Sequence, residues 1–466
     1  MVFYQKKIVF SGIILLTSVF FSGHSHAQVI PEIIKTIPDC ECYEIGSAEA
    51  SQPANTAIQY SGDNQSSWAY VPTDDGTGKD CSVTDLKIIY NDDLSSIGED
   101  LEAEFIGTQD QTEVVQIGDG SLSLQKHIVP ITETFGAANN DYGQGIIVDD
   151  SSNTIVVGIF RDTVNFDASG AGDNHTSIGE RDIFITKRNS DGSYGWTRTF
   201  GSTLADYGYS ISADSDGNIF VTGAFQGTVD FDDAGGTDTR TSNGGTDIFI
   251  TRYNSDGSYG WTRTFGSTLN DNGRSVAVSS GGDVFATGYF QGTADFDDTG
   301  GTDSYTSKGS ADIFITKYNS DGSYGWTRAF GAGSTDIGYG ISIDDTGGVF
   351  ATGNFQSIVD FDATAGIDEK TSNGGNDIFI VKYGTDGSYQ WARTLGSTDS
   401  ADYGMSISVD NLGNVFFTGS FRGTVDFDAT DGVDNHTGNY SIFIAKYGVD
   451  GSYGWARTLG SSALFD

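Results

Sequence analysis

The chain has 466 residues, 37% of them hydrophobic and 12% aromatic, with 64 acidic side chains against 24 basic ones for a formal charge of −40. That is enough apolar material for a core in a chain longer than one ordinary domain. The negative field repels phosphate backbones and anionic lipid, which excludes nucleic-acid binding and favours cation binding or plain solubility.

In chain order, Lys6 and Lys7 precede the apolar run Ile8 to Phe21 and then Ser25-His26-Ala27, the layout of a cleaved secretory signal over 1–27. The mature product should begin near Gln28; residues 1–27 hold two lysines and no acid, so cleavage takes the charge from −40 to −42. The run is short for a membrane span, with an uncleaved anchor as the lesser alternative, and no later stretch is apolar enough to cross a bilayer. The expectation is a secreted or cell-surface protein without stable membrane insertion after cleavage. Region 28–128 reads as a small β-rich domain, sandwich-like, from the runs Ala57 to Tyr60, Trp68 to Val71, Leu86 to Tyr90 and Val114 to Ile117. All three cysteines, Cys40, Cys42 and Cys81, lie there. In an oxidising compartment Cys81 would pair with Cys40 or Cys42 and leave one thiol; a zinc site would want four ligands and has no histidine cluster nearby.

From residue 129 the chain is periodic. Trp196, Trp261, Trp326 and Trp391 are 65 residues apart and Trp455 follows after 64, which gives units 131–195, 196–260, 261–325, 326–390 and 391–454. The units beginning at Trp196 and Trp261 match at 45 of 65 positions, close enough to indicate duplication. Each unit holds four short strand-like runs, in the second Tyr209 to Ala213, Ile219 to Phe225, Ile248 to Tyr253 and Tyr259 to Phe265. Asp216-Gly217 and Asp256-Gly257 supply tight turns between them. Four antiparallel strands at a fixed period and no helix predict an all-β fold, a β-propeller of about five blades over 129–466. Asp247-Ile-Phe-Ile-Thr is apolar on both faces, as for a strand between two blades, and Tyr259, Trp261, Arg263 and Phe265 form a row in which indole and guanidinium stack. Segment 455–460 either closes a five-blade ring as its last outer strand, the preferred reading, or opens a sixth unit that is cut short. Residues 127–136 compete for the same closing position.

Trp196-Thr-Arg-Thr-Phe-Gly, Asp206-Tyr-Gly-Tyr-Ser-Ile-Ser-Ala-Asp, Gly217-Asn-Ile-Phe-Val-Thr-Gly and Asp247-Ile-Phe-Ile-Thr-Arg-Tyr-Asn-Ser-Asp-Gly resemble the SBBP-type bacterial β-propeller repeat over about 131–460. The resemblance implies an exported bacterial propeller, often at the cell surface and without an assigned activity, with the Ser-Ile-Ser-Ala run innermost. The family name implies seven blades, and this chain supplies five.

Every unit carries an acidic loop after its second strand: Asn165, Asp167 and Asp173; Asp230, Asp232 and Asp238; Asp295, Asp297 and Asp303; Asp360, Asp362 and Asp368; Asp426, Asp428 and Asp434. Hard oxygen ligands on a flexible loop suit Ca²⁺, the one cofactor the sequence suggests, although no EF-hand spacing is present. The alternative, which the sequence favours, is a solvated acidic rim that blunts strand edges. Asp182, Asp247, Asp312 and Asp377, replaced by Ser441 in the last unit, read as turn caps or as partners of Arg198, Arg263, Arg328 and Arg393. His175 and His436 occupy matching loops, which a closed ring would bring together; His127 stands apart. No nucleophile elbow or phosphate loop occurs in a strand-to-helix setting. The expectation is therefore a non-enzymatic binding or scaffold protein whose partner is a surface protein or a glycan. A propeller enzyme acting on carbohydrate through unlike central carboxylates is the rival.

Overall fold

A computed structural model describes residues 134–167, 172–398 and 402–460, and the backbone of seven strands upstream. The expected signal segment apart from Ile14–Thr17, the three cysteines and the side chain of His127 lie outside the described residues. The chain divides into two units, Met1–Thr132 and Glu133–Asp466. In the first, Ser67–Val71 pairs with both Ala57–Tyr60 and Ile14–Thr17, Leu86–Ile88 pairs with Leu101–Ala103, and Gln111–Gly118 forms a hairpin with Ser121–Ile128.

The second unit is five four-stranded antiparallel sheets, each a meander in sequence order. Blade one comprises Tyr142–Val148, Thr154–Phe160, Asp182–Arg188 and Tyr194–Phe200. Blade two comprises Tyr207–Ala213, Ile219–Phe225, Asp247–Tyr253 and Tyr259–Phe265, and blade three Asn272–Val278, Val284–Phe290, Asp312–Tyr318 and Tyr324–Phe330. Blade four comprises Ile337–Ile343, Val349–Phe355, Asp377–Tyr383 and Tyr389–Leu395, and blade five Tyr403–Val409, Val415–Asp426, Asn435–Tyr447 and Tyr453–Leu459. The first strands of consecutive blades run beside one another, so they line the inner side. Between its second and third strands each blade carries a short ribbon, such as Thr228–Asp230 with Thr239–Thr241. Gly217 and Gly257 take φ of 76° and 82°, the conformation their Asp-Gly turns require. At Gly223 a Cβ would lie 1.8 Å from the Tyr207 carbonyl oxygen, so only glycine lets the first two strands approach this closely.

The third strand shows why no blade can stand alone. Ile248 and Ile250 pack with Val276, Val284 and Tyr318 of blade three, whereas Phe249 and Tyr253 pack with Val157 and Phe200 of blade one. Each of these third-strand side chains is fully buried and contributes about 1.5–3 kcal/mol only while the blade it faces is present, so the strand as a whole needs both neighbours. The fourth strand seals the junction: the Trp261 ring lies 6.1 Å from Phe220 of its own blade and 6.4 Å from Tyr318 of the next, and Phe265 lies 5.0 Å from Phe296. Arg263 stacks on Trp261 at 5.4 Å, as expected, but its Nε donates to the Gly322 carbonyl in the turn of the next blade at 2.7 Å. Of the two roles expected for Asp247, arginine partner or turn cap, it takes the second: Arg263 bonds the backbone carbonyl instead, and Asp247 accepts the Asn243 N–H at 3.1 Å.

Segment Tyr453–Leu459 is the outer strand of blade five, the preferred sequence reading of that stub. Among the described residues the expected ring closure is not seen. The first strands of blades one and five do not run side by side as consecutive ones do. Phe135 also occupies the slot on blade one that a closing outer strand would fill, 5.1 Å from Phe166 and 5.6 Å from Phe184.

At each junction a pair of carboxyls is buried. Burial, opposed by the Asn243 N–H and reinforced by the nearby Asp271, pushes Asp247 up to about 7; burial likewise raises Asp377 to about 7, beside Asp402. Asp206 and Asp336 rise to about 6, again chiefly through burial. The Oδ1 atoms of Asp182, Asp247, Asp312 and Asp377 are buried without a hydrogen-bond partner. With folded values above the unfolded value of about 3.9, the native state holds extra protons between about pH 4 and 7, and stability falls as pH rises through that window. Acidification from pH 8 to pH 5 should therefore raise the melting temperature. Asp247→Asn should raise it at pH 8 and flatten the dependence; a melting temperature constant or falling from pH 8 to 5 contradicts this.

Candidate binding surface on the inner strands

The acidic loops are held by their own backbone. In blade two, Asp230 Oδ1 accepts the N–H groups of Asp232 and Asp238 at 3.1 and 2.8 Å, and Asp232 Oδ1 accepts the Ala234 N–H at 3.1 Å. The phenylalanine between them, Phe231, is buried, and its carbonyl accepts the Tyr253 hydroxyl at 2.5 Å. Asn165, Asp295, Asp360 and Asp426 repeat the first role, and Asp297, Asp362 and Asp428 the second, while Asp167 is buried. The third acid is taken by other side chains. Asp238 accepts the Tyr259 hydroxyl and pairs with Arg240 at 2.8 Å. Asp303 accepts from Tyr324, and Asp368 from Tyr389 and Lys370.

The histidines fill the position of Arg240 and Lys370 in this ribbon. His175 lies 3.0 Å from Asp173 and His436 lies 3.2 Å from Asp434, each edge-on to a buried phenylalanine, Phe166 or Phe427. Among the described residues no three His, Cys, Asp or Glu side chains are placed to hold a metal ion. The aspartates near the inner strands share one capping role from blade to blade: Asp206, for one, accepts the N–H groups of Ser202 and Gln226, and it is fully buried like Asp271, Asp336 and Asp402, while Asp141 of blade one is half-buried.

A different set of residues converges at the inner strands, and the sequence reading passed over it. Every first strand has a β-bulge at its third residue, between Gly143 and Gly145, Gly208 and Ser210, Gly273 and Ser275, Gly338 and Gly340, and Gly404 and Ser406. The bulged residues are Gln144, Tyr209, Arg274, Tyr339 and Met405, all different in kind or neighbour although the glycine before them never changes. A bulge re-aims its side chain, a device common beside binding sites. The Arg274 guanidinium lies 4.8 Å from the Tyr209 ring centroid and 5.5 Å from that of Tyr289, bridging blades two and three. Tyr209 stacks on Tyr207 at 5.7 Å, and Arg181 lies 5.9 Å over Tyr207. Asn272 donates to the Tyr289 hydroxyl at 2.9 Å, and on blade four Asn354 donates to Asn376, which donates to Tyr403 of blade five at 3.0 Å. Burial raises the phenols of Tyr209 and Tyr339, with Arg274 acting in the opposite sense, so both rings are neutral at pH 7. Arg274 Nε and Asn354 Oδ1 are buried without a hydrogen-bond partner. The signal available in the sequence was variation within an otherwise near-uniform repeat.

Comparison with known proteins agrees with this architecture. The repeat family described as SBBP, beta-propeller repeat, matches residues 195–224. An uncharacterized WD repeat-containing protein of Acanthamoeba polyphaga mimivirus is 27% identical over 404 residues, 71% of this chain and 29% of that protein. The regulatory protein FlaEY of Caulobacter vibrioides is 30% identical over 180 residues, 36% of this chain and 18% of that protein. The chain thus spans under a third of either relative's length.

Because the loop carboxylates already hold N–H, hydroxyl and cationic partners, millimolar Ca²⁺ and a chelator should give superimposable thermal unfolding curves. A Ca²⁺-dependent rise in melting temperature would show that these loops rearrange to bind the ion.

Proposed function

We propose that this chain, an SBBP-repeat β-propeller protein, is an exported, non-enzymatic binding protein that holds an acidic saccharide at its inner strands. Export rests on Lys6, Lys7, the apolar run to Phe21 and the small residues up to Ala27. The observation that carries the binding reading is Arg274: a half-buried guanidinium between two tyrosine rings, without a carboxylate ion pair among the described residues, in a chain of charge −40. A guanidinium so placed has its planar fork available for a carboxylate or sulfate, and the tyrosine faces suit the C–H face of a sugar ring. The absence of catalysis is supported by the equivalence of the buried aspartates, since acid–base chemistry needs carboxyls in unlike environments.

The test is a glycan panel containing neutral, uronic-acid and sulfated saccharides. Acidic members should bind, with affinity falling as salt rises, and Arg274→Ala should weaken binding about tenfold or more, the effect of losing a charged hydrogen-bond donor. Binding of neutral glycans alone, or acidic binding untouched by Arg274→Ala, overturns the assignment.

A further inference from the structure

The Arg274 guanidinium is one rung of a longer ladder. From blade one to blade three, Arg181 lies 5.9 Å over the Tyr207 ring, Tyr207 stacks on Tyr209 at 5.7 Å with 7° between the ring planes, Tyr209 lies 4.8 Å from Arg274, and Arg274 lies 5.5 Å from Tyr289. All five side chains are half-buried, so each keeps part of its surface in contact with solvent. The two arginines are not part of the repeat. Where blade one has Arg181, the next three have Thr246, Ala311 and Asn376, and where blade three has Arg274, blades one and four have Gln144 and Tyr339. The same blade backbone is thus built elsewhere in the chain without either arginine. The junction arginines differ: Arg198, Arg263, Arg328 and Arg393 recur at every period and donate to a carbonyl of the following blade.

We propose that the ligand is a chain of several uronic-acid sugars laid along this ladder, with one carboxylate at Arg274 and another at Arg181, a proposal that rests on the acidic-saccharide reading of the inner strands. Arg181 immediately precedes the third strand of blade one and Arg274 lies on the first strand of blade three, with Tyr207 and Tyr209 of blade two between them. A sugar ring is similar in size to a phenol ring, so one sugar covers one step of the ladder. Only a chain of sugars reaches both guanidiniums. Each guanidinium takes a carboxylate through its planar fork, and the phenol faces between them take the C–H faces of the intervening sugars. The Tyr209 phenol, raised by burial, stays neutral at pH 7 and does not repel the ligand. Once one carboxylate is seated at Arg274, the second contact is made within the same complex, so affinity rises with chain length without any new kind of interaction.

Isothermal titration of the full chain with galacturonic acid and its linear oligomers up to the hexamer tests this. Affinity should rise about tenfold or more from the monomer to the hexamer. Arg181→Thr and Arg274→Gln each install a residue that another blade carries at the same position, so both variants should keep the melting temperature of the unmodified protein. Arg181→Thr should weaken the hexamer about tenfold and leave the monomer within about twofold, because a single sugar is held at Arg274 between two rings, whereas Arg274→Gln should weaken every length. Inorganic polyphosphate and oligodeoxythymidylate of like charge should bind about tenfold more weakly than the hexamer, since neither offers a row of sugar faces. Affinity that does not grow with length overturns the proposal, as does an Arg181→Thr effect equal at every length, and both leave the acidic-saccharide reading standing. Polyphosphate or oligodeoxythymidylate binding as well as the hexamer also overturns it. If uronates of every length fail to bind, the proposal falls, and the acidic-saccharide reading falls with it when sulfated saccharides fail too.

Discussion

A four-stranded antiparallel sheet that is apolar on both faces cannot bury them by itself, and everything else in this protein follows from that constraint. Ile248 and Ile250 need blade three and Phe249 needs blade one; the same statement holds at each later period. The fourth strand turns stacking into a specific junction, because Trp261, Arg263 and Phe265 each reach into the following blade through an indole contact, a hydrogen bond to a turn carbonyl and a phenylalanine cluster. Stability in such an array is a sum over neighbour contacts, and its weakest points are its ends.

The strands and their order were legible in the sequence because the alternation of apolar residues and the Asp-Gly turns recur five times. Tyr209 to Ala213 came out two residues short at its start: the strand runs from Tyr207, and the bulge at Tyr209 breaks the two-residue alternation that marks a strand. The role of Arg263 was half legible, since stacking on Trp261 depends on local spacing, whereas its bond to Gly322 joins residues 59 apart across a junction. The inner cluster was missed because reading the units as near-identical hides the few positions where they differ. Tyr209, Arg274 and Tyr289 meet only once the first strands line up.

The acidic residues divide by environment. Loop carboxylates such as Asp230 and Asp238 serve as caps and ion-pair partners at the outer ribbons, whereas Asp206 and Asp247 sit inside the junctions, raised by burial. Arg274 and Arg181 resemble the junction arginines in resting on aromatic rings, but they lie at the inner strands. Their positive charge is set against ring faces and, among the described residues, in no carboxylate ion pair, which is the basis of the proposed anion binding.

The claim that neighbouring sheets shelter one another is tested most directly by comparing equivalent truncations at an interior and a terminal face. Urea unfolding in dilute solution, followed by tryptophan fluorescence, should show Ile313→Ala losing about 2–5 kcal/mol. Ile442→Ala, with the same chemistry in the same strand position, should lose less than about 1 kcal/mol. Equal losses at the two sites would contradict the account.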